Sequence, residues 1–132
     1  MPRLSLDTNL PASKIPLEFL SKGTDVLSDT LGKSHRFCIS TVNPGLKMIL
    51  GNSSEPCGLI QVTSIGSLGP EENKKHIVAL TDYVHEATGI PKNKLYVQFQ
   101  SNLPESTGFI GSTFHQLAIV EKGARLRKYF MP

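Results

Sequence analysis

The chain has 132 residues, 39% of them apolar and 19% charged, as expected of one globular domain with a real core; this excludes a disordered polar protein. Its formal charge of +3 comes entirely from residues 121 to 128, where Lys122, Arg125, Arg127 and Lys128 outnumber the single acid Glu121. A neutral body with few aromatics excludes a nucleic-acid footprint, and no apolar run approaches the ~18 residues of a membrane span.

The first residues are Met1-Pro2, a start that methionine-trimming enzymes process because proline is small. Trimming would leave Pro2 as a cyclic secondary amine, a group suited to act as base or nucleophile. Leu4 and Leu6 alternate with Ser5 and Asp7, which predicts a half-buried strand over Arg3–Asp7 with Pro2 on the leucine side. Thr8-Asn9-Leu10-Pro11 then breaks the strand.

A helix is predicted from about Ile15 or Pro16 to Leu31, with Ser13 as its cap and Gly32 just past its end. Leu17, Leu20, Thr24, Leu27 and Leu31 give it one mainly apolar stripe. Lys33 follows the terminating glycine, a place where a cation also complements the helix dipole. Strands are predicted over Phe37–Val42, Leu46–Leu50 and Gly58–Thr63, the last running into Ser64-Ile65-Gly66. A second helix opens at Gly69-Pro70-Glu71-Glu72 and ends at Gly89 and Pro91, with Ile77, Leu80, Val84 and Ala87 as its apolar face. Leu95–Phe99 is the next strand, and Phe109-Ile110 a short final one.

Strand, helix, strand and short strand thus occur twice. Two β-α-β units place both helices on one face of a four-stranded sheet, because such crossovers are right-handed. The fold class is therefore α+β, with short edge strands and one bare sheet face that calls for an oligomeric partner.

Cys38 and Cys57 form no C-x-x-C pair, and His76 and His85 fall on opposite faces of their helix, so neither a redox dithiol nor a metal site is expected. Asn52-Ser53-Ser54 matches a glycosylation pattern. No secretory signal is visible at the start, which makes the cytoplasm the expected compartment.

The ordered stretches resemble a known family. Leu6-Asp7-Thr8-Asn9-Leu10-Pro11-Ala12 and Pro44-Gly45-Leu46 are similar to D-dopachrome tautomerases. Gly51-Asn52-Ser53-Ser54-Glu55-Pro56-Cys57, Ser64-Ile65-Gly66 and Ser112-Thr113-Phe114 are similar to macrophage migration inhibitory factors of the same tautomerase superfamily. The resemblance covers residues 1–114 as one domain and leaves 115–132 as a C-terminal extension with a basic tail. It implies a homotrimer whose sheets form a barrel-like channel, with active sites at subunit interfaces and no cofactor. It also implies keto–enol tautomerisation of small aromatic α-keto acids or dopachrome-like compounds, with Pro2 as the base once Met1 is gone. Lys33 would bind a carboxylate or polarise the carbonyl, Ser64 and the Ile65 N–H would assist, and Tyr96 and Gln98 would come from the adjacent subunit. The family further implies cytokine-like engagement of a cell-surface receptor and release from cells without a signal peptide.

Departures from the family pattern bear on specificity. Gln98 stands where migration inhibitory factor has asparagine, and Phe37 and Phe109 replace a tyrosine and a tryptophan, so the pocket stays apolar with fewer polar handles. The family's C-x-x-C is reduced to Cys57 with Ile60, which removes the basis for an oxidoreductase activity. Ala12 and Gly45 replace a charged pair tied to chemokine-type receptors. Leu117–Val120 is expected to form a strand or a helical turn, the basic stretch to be solvated, and a channel-capping role is the alternative for this extension.

Overall fold

Both leucines of β1 (Arg3–Thr8) are buried, so the alternation in this strand decides which face of the sheet meets the core. The computed structural model describes residues 1–120. After β1 come α1 (Phe19–Leu31), β2 (Ile39–Asn43), β3 (Gly58–Ser64), α2 (Pro70–Thr88) and β4 (Leu95–Ser101). The hairpin β5 (Gly108–Phe109) and β6 (Ser112–Thr113) and the helix α3 (Phe114–Val120) follow. The sheet order is β2-β1-β3-β4, with β1 parallel to β2, β3 parallel to β4, and β1 antiparallel to β3 between them. These are the two β-α-β units expected, in an α+β layer.

Leu4, Leu6, Ile60, Val62 and Leu95 of the sheet meet Phe19, Leu27 and Leu31 of α1 and Leu80 and Val84 of α2 in one core. Each such buried side chain contributes about 1.5–3 kcal/mol. Tyr83 ties the helices together: its ring stacks 5.4 Å from that of Phe19, and its hydroxyl donates to the Phe19 carbonyl.

Several local expectations are corrected. The first helix begins at Phe19, not at Ile15 or Pro16, and Ser13 lies in a 3-10 turn, Ala12–Lys14, rather than capping it. The segment turns instead, with Phe19 N–H donating to Pro16 O at 3.1 Å, and Leu17 is fully exposed. The buried stripe of α1 is Phe19, Gly23, Leu27 and Leu31, not the one through Leu17, Leu20 and Thr24. Gly23 sits where the helix touches the sheet: a Cβ there would meet Ser40 Oγ at 3.1 Å and Leu4 Cδ2 at 3.3 Å. In α2, Ile77 is half-exposed and His76 takes the buried position beside Leu80 and Val84.

Leu46–Leu50 forms no strand. No neighbouring strand within the described chain pairs with it; Leu46 N–H bonds Thr8 O at 3.0 Å and Ile49 stays exposed. Phe37 lies in a 3-10 turn, His35–Phe37, ahead of β2. Phe109 pairs with Ser112 in a hairpin of its own, with Ile110 and Gly111 as a turn of positive φ, rather than forming a strand with Ile110.

The other sheet face is polar. Arg3 stands beside Thr63, Ser5 beside Thr41 and Gln61, and Gln61 beside Gln98, and Arg3, Gln61, Thr63, Gln98 and Gln100 line a depression of about 340 Å³. The sequence pattern calls for an oligomeric partner on this face, and the surface it offers one is mainly polar, with Ile39 and Tyr96 as exposed apolar exceptions. Among the described residues no helix is long and apolar enough to cross a membrane. Leu117–Val120 belongs to α3, and the basic stretch from 121 to 128 lies outside the described residues.

Candidate active site

Pro2 heads β1 and is fully buried. Its carbonyl accepts from the Ile39 N–H at 2.9 Å, which locks the strand start to β2. Arg3 is registered with Ile39 on one side and Thr63 on the other. One residue earlier, the same pairing sets Pro2 between Cys38 and Ser64. The Ser64 hydroxyl is buried and has no hydrogen-bond partner among the described residues. Its carbonyl is held by the Asn102 N–H at 2.8 Å.

Lys33 arrives from the C-terminus of α1. Gly32 adopts φ 68°, a conformation that suits glycine, and turns the chain out of the helix. Ser28 then holds the turn twice: its carbonyl accepts from Gly32 N–H at 2.9 Å and Lys33 N–H at 3.2 Å, and its hydroxyl donates to Lys33 O. The terminal amine is held below its ordinary value of 8.0, first by burial and then by the positive charge of Lys33, with Cys38 acting weakly the other way. This amine belongs to Met1, one residue outside the Pro2 nitrogen that trimming would free. Burial pushes the Cys38 thiol up, which keeps it in the neutral form, while the terminal amine pulls it down.

Ile65 follows β3 and leads into a loop with positive φ at Gly66 and Ser67. Phe37 and Phe109 meet edge to face at 5.9 Å, and Phe109 stacks on buried Phe114 at 5.9 Å. Arg36 lies over the Phe37 ring at 5.9 Å. The hairpin thus folds an aromatic wall back against the turn that precedes β2.

Pro2, Lys33, Ser64 and Ile65 come to one end of the central strands. Tyr96 and Gln98 do not join them: they share the opposite sheet face on the edge strand β4, opposite Leu59 and Gln61, and are exposed. Sequence reasoning passed over Ser28, Cys38 and Phe114. The Gly32-Lys33 helix stop pointed to Ser28 four residues back. Cys38 became visible only through the β1–β2 register, which a single sequence does not reveal.

A mobile proton in such a place has a ready base when the amine is free. An amine disfavoured as a cation accepts protons near neutral pH, and a nearby lysine stabilises developing negative charge on oxygen.

Known proteins share this sequence pattern and this fold. The family model for macrophage migration inhibitory factor matches residues 1–115. A macrophage migration inhibitory factor homolog of Brugia malayi is 37% identical over 114 residues, spanning 86% of this chain and 99% of that protein. The macrophage migration inhibitory factor of Xenopus tropicalis is 32% identical over the same length, with 86% and 99% covered. The solved structure of the factor from Trichinella spiralis superposes with a TM-score of 0.82 at 29% identity, covering 85% of this chain and 99% of that one. On fold and sequence, this chain belongs to the macrophage migration inhibitory factor family of the tautomerase superfamily.

Proposed function

We propose that this chain, once Met1 is removed, is an isomerase that interconverts the keto and enol forms of small aromatic α-keto acids of the phenylpyruvate type, or of dopachrome-like compounds. The observation that carries the reading is the placing of Pro2, buried at the head of β1, where burial and the charge of Lys33 already hold the Met1 amine one residue away below its ordinary value. The Pro2 nitrogen takes the proton from the carbon beside the carbonyl. The C–H electron pair moves into the new C=C bond, and the carbonyl π pair moves onto oxygen. Lys33 stabilises that oxygen or the substrate carboxylate, and the Ile65 N–H and Ser64 hydroxyl serve the remaining polar atoms. Phe37 and Phe109 supply an apolar wall for the aromatic ring. The proton on Pro2 then passes to the enolate oxygen, which completes the tautomer.

Tyr96 and Gln98 face away from Pro2 within one chain and lie on the sheet edge. This favours a homotrimer in which a neighbouring subunit brings its own pair to the pocket, as the family resemblance implies.

Mass spectrometry first establishes whether Met1 is lost, because retained Met1 turns Pro2 into an amide nitrogen. The trimmed protein and its Pro2→Gly variant are then assayed with phenylpyruvate and with dopachrome. Turnover by the first and near loss in the second is the expected result. Equal rates remove Pro2 from the mechanism, and no turnover by either favours receptor signalling as the function.

A further inference from the structure

Two segments bring the substrate-binding groups to the pocket from different elements. The last turn of α1 delivers Lys33, and the loop after β3 delivers the Ile65 N–H. His76 of α2 is hydrogen-bonded to both segments. His76 is 4% exposed, with Nδ1 2.8 Å from Thr30 Oγ1 and Nε2 2.8 Å from Ser67 O. A carbonyl only accepts, so Nε2 carries the proton, and in the neutral ring Nδ1 accepts from the Thr30 hydroxyl. The ring also lies 6.0 Å from that of Phe99, which closes its apolar side.

A buried histidine with both nitrogens satisfied is ordinary core. What it joins here is not. Thr30 is three residues before Lys33, and Ser67 is two residues after Ile65. Gly66 and Ser67 have φ of 78° and 62°, and a serine keeps that conformation only when its surroundings hold it. Here the hold is visible, because His76 donates to the Ser67 carbonyl.

We propose that His76 is a positioning residue for the reaction. It clamps the loop carrying Ile65 against the end of α1 and thereby sets the separation between the Ile65 N–H and the Lys33 ammonium. Those two groups address different oxygens of one substrate, so a fixed separation matters for binding a molecule with a carboxylate beside a carbonyl. The proposal rests on the reading of Pro2, Lys33 and Ile65 given above. It adds a residue that touches no substrate.

The test compares three variants of the trimmed protein: His76→Phe, His76→Gln and His85→Phe. Phenylalanine keeps the ring and removes both hydrogen bonds. Glutamine offers an N–H for Ser67 and an oxygen for Thr30. His85 is the control: it sits at the far end of the same helix, 2.7 Å from Ile90 O, and serves no site residue. KM for phenylpyruvate is expected to rise about tenfold in His76→Phe. In His76→Gln it stays within about twofold of the parent, and in His85→Phe it does not move. The acid limb of the pH–rate profile stays where it was in all three, because Pro2 is untouched.

A His76→Phe protein that loses thermal stability like His85→Phe and keeps the parental KM overturns the proposal. If His76→Phe does not fold, Thr30→Val cuts only the α1 end of the clamp. It is expected to raise KM about threefold, and an unchanged KM overturns the proposal again. If the parent protein has no tautomerase activity, the functional reading fails on its own. The clamp is then read by amide hydrogen exchange at residues 65–68, faster in His76→Phe than in His76→Gln if it exists, equal if it does not.

Discussion

Ser28→Ala separates the helix end from the lysine it presents. The substitution removes one interaction, the hydroxyl's donation to Lys33 O, and leaves both N–H bonds to the Ser28 carbonyl in place. Losing a hydrogen bond of this kind costs about 1 kcal/mol, while alanine's better helix propensity returns roughly 0.5. The net change is a loss of about 0.5 kcal/mol, or ~2 °C in Tm for a chain of this size. Lys33 keeps its N–H bond to Ser28 O but loses the one bond that holds its carbonyl, so its side chain is less firmly placed. If placement of the ammonium depends on that bond, KM for phenylpyruvate rises about fivefold, the equivalent of roughly 1 kcal/mol. Thermal unfolding and steady-state kinetics on the same preparation measure both quantities. An unchanged KM means that Lys33 only complements the helix dipole, the plainer role available to a cation there. A Tm fall above about 8 °C means the hydroxyl holds the helix rather than the lysine.

Three further outcomes are expected. Burial and Lys33 lower the Met1 amine, and the same surroundings act on the Pro2 amine once Met1 is gone, so kcat/KM falls as pH drops with a midpoint below the titration of a free Pro-Arg peptide measured alongside; a midpoint at or above the peptide's refutes the effect of burial and Lys33. Gly23→Ala places a Cβ 3.1 Å from Ser40 Oγ and 3.3 Å from Leu4 Cδ2, so overpacking of about 1–3 kcal/mol outweighs a helix gain of about 1. Urea unfolding should show a net loss, and a gain would refute the close approach. Ile110, a β-branched residue at φ 47°, is strained in its turn, so Ile110→Asn should stabilise the hairpin by about 1 kcal/mol in the same assay; a loss would mean the exposed isoleucine has a contact worth more than its strain.

What was legible in the sequence followed from local chemistry. Gly32 and Gly89 both take left-handed conformations just past their helices, because each ends an apolar period and no side chain resists the turn. Leu4 and Leu6 face the core, since two leucines in register leave little choice. Leu46–Leu50 read as a strand for the same reason, but a strand needs a neighbour, and the sheet edge at β2 provides none to it in the described chain. His76 was illegible: its burial depends on Thr30 and Ser67, which lie 46 and 9 residues away. The stripe of α1 was misplaced by Leu17 and Leu20 because Gly23 has no apolar surface of its own to show. Its value lies in the space it leaves for Leu4 and Ser40. The Met1-Pro2 start marks Pro2 as a latent amine, but its pairing with Lys33 is legible only through resemblance, as no periodicity links a strand end to the residue after a helix.

The internal repeat sets the proposed site beside an equivalent place that lacks its groups. Residue for residue, Pro2 before β1 corresponds to Cys57 before β3, and Lys33 after Gly32 corresponds to Ile90 after Gly89. Each pair is followed by a 3-10 turn and then a parallel strand. In the second half the equivalent place is filled: Cys57 and Ile90 are both buried. The Cys57 N–H bonds Asn9 Oδ1 at 2.9 Å, and its carbonyl accepts from Thr8 Oγ1 at 2.7 Å. Cys57 lies mid-chain and has no amine to free, and Ile90 has no charge to offer an enolate. The same scaffold thus presents Cys57 and Ile90 at one place and Pro2 and Lys33 at its equivalent. The difference between them is a lysine for an isoleucine and, once Met1 is gone, a free amine for a mid-chain amide.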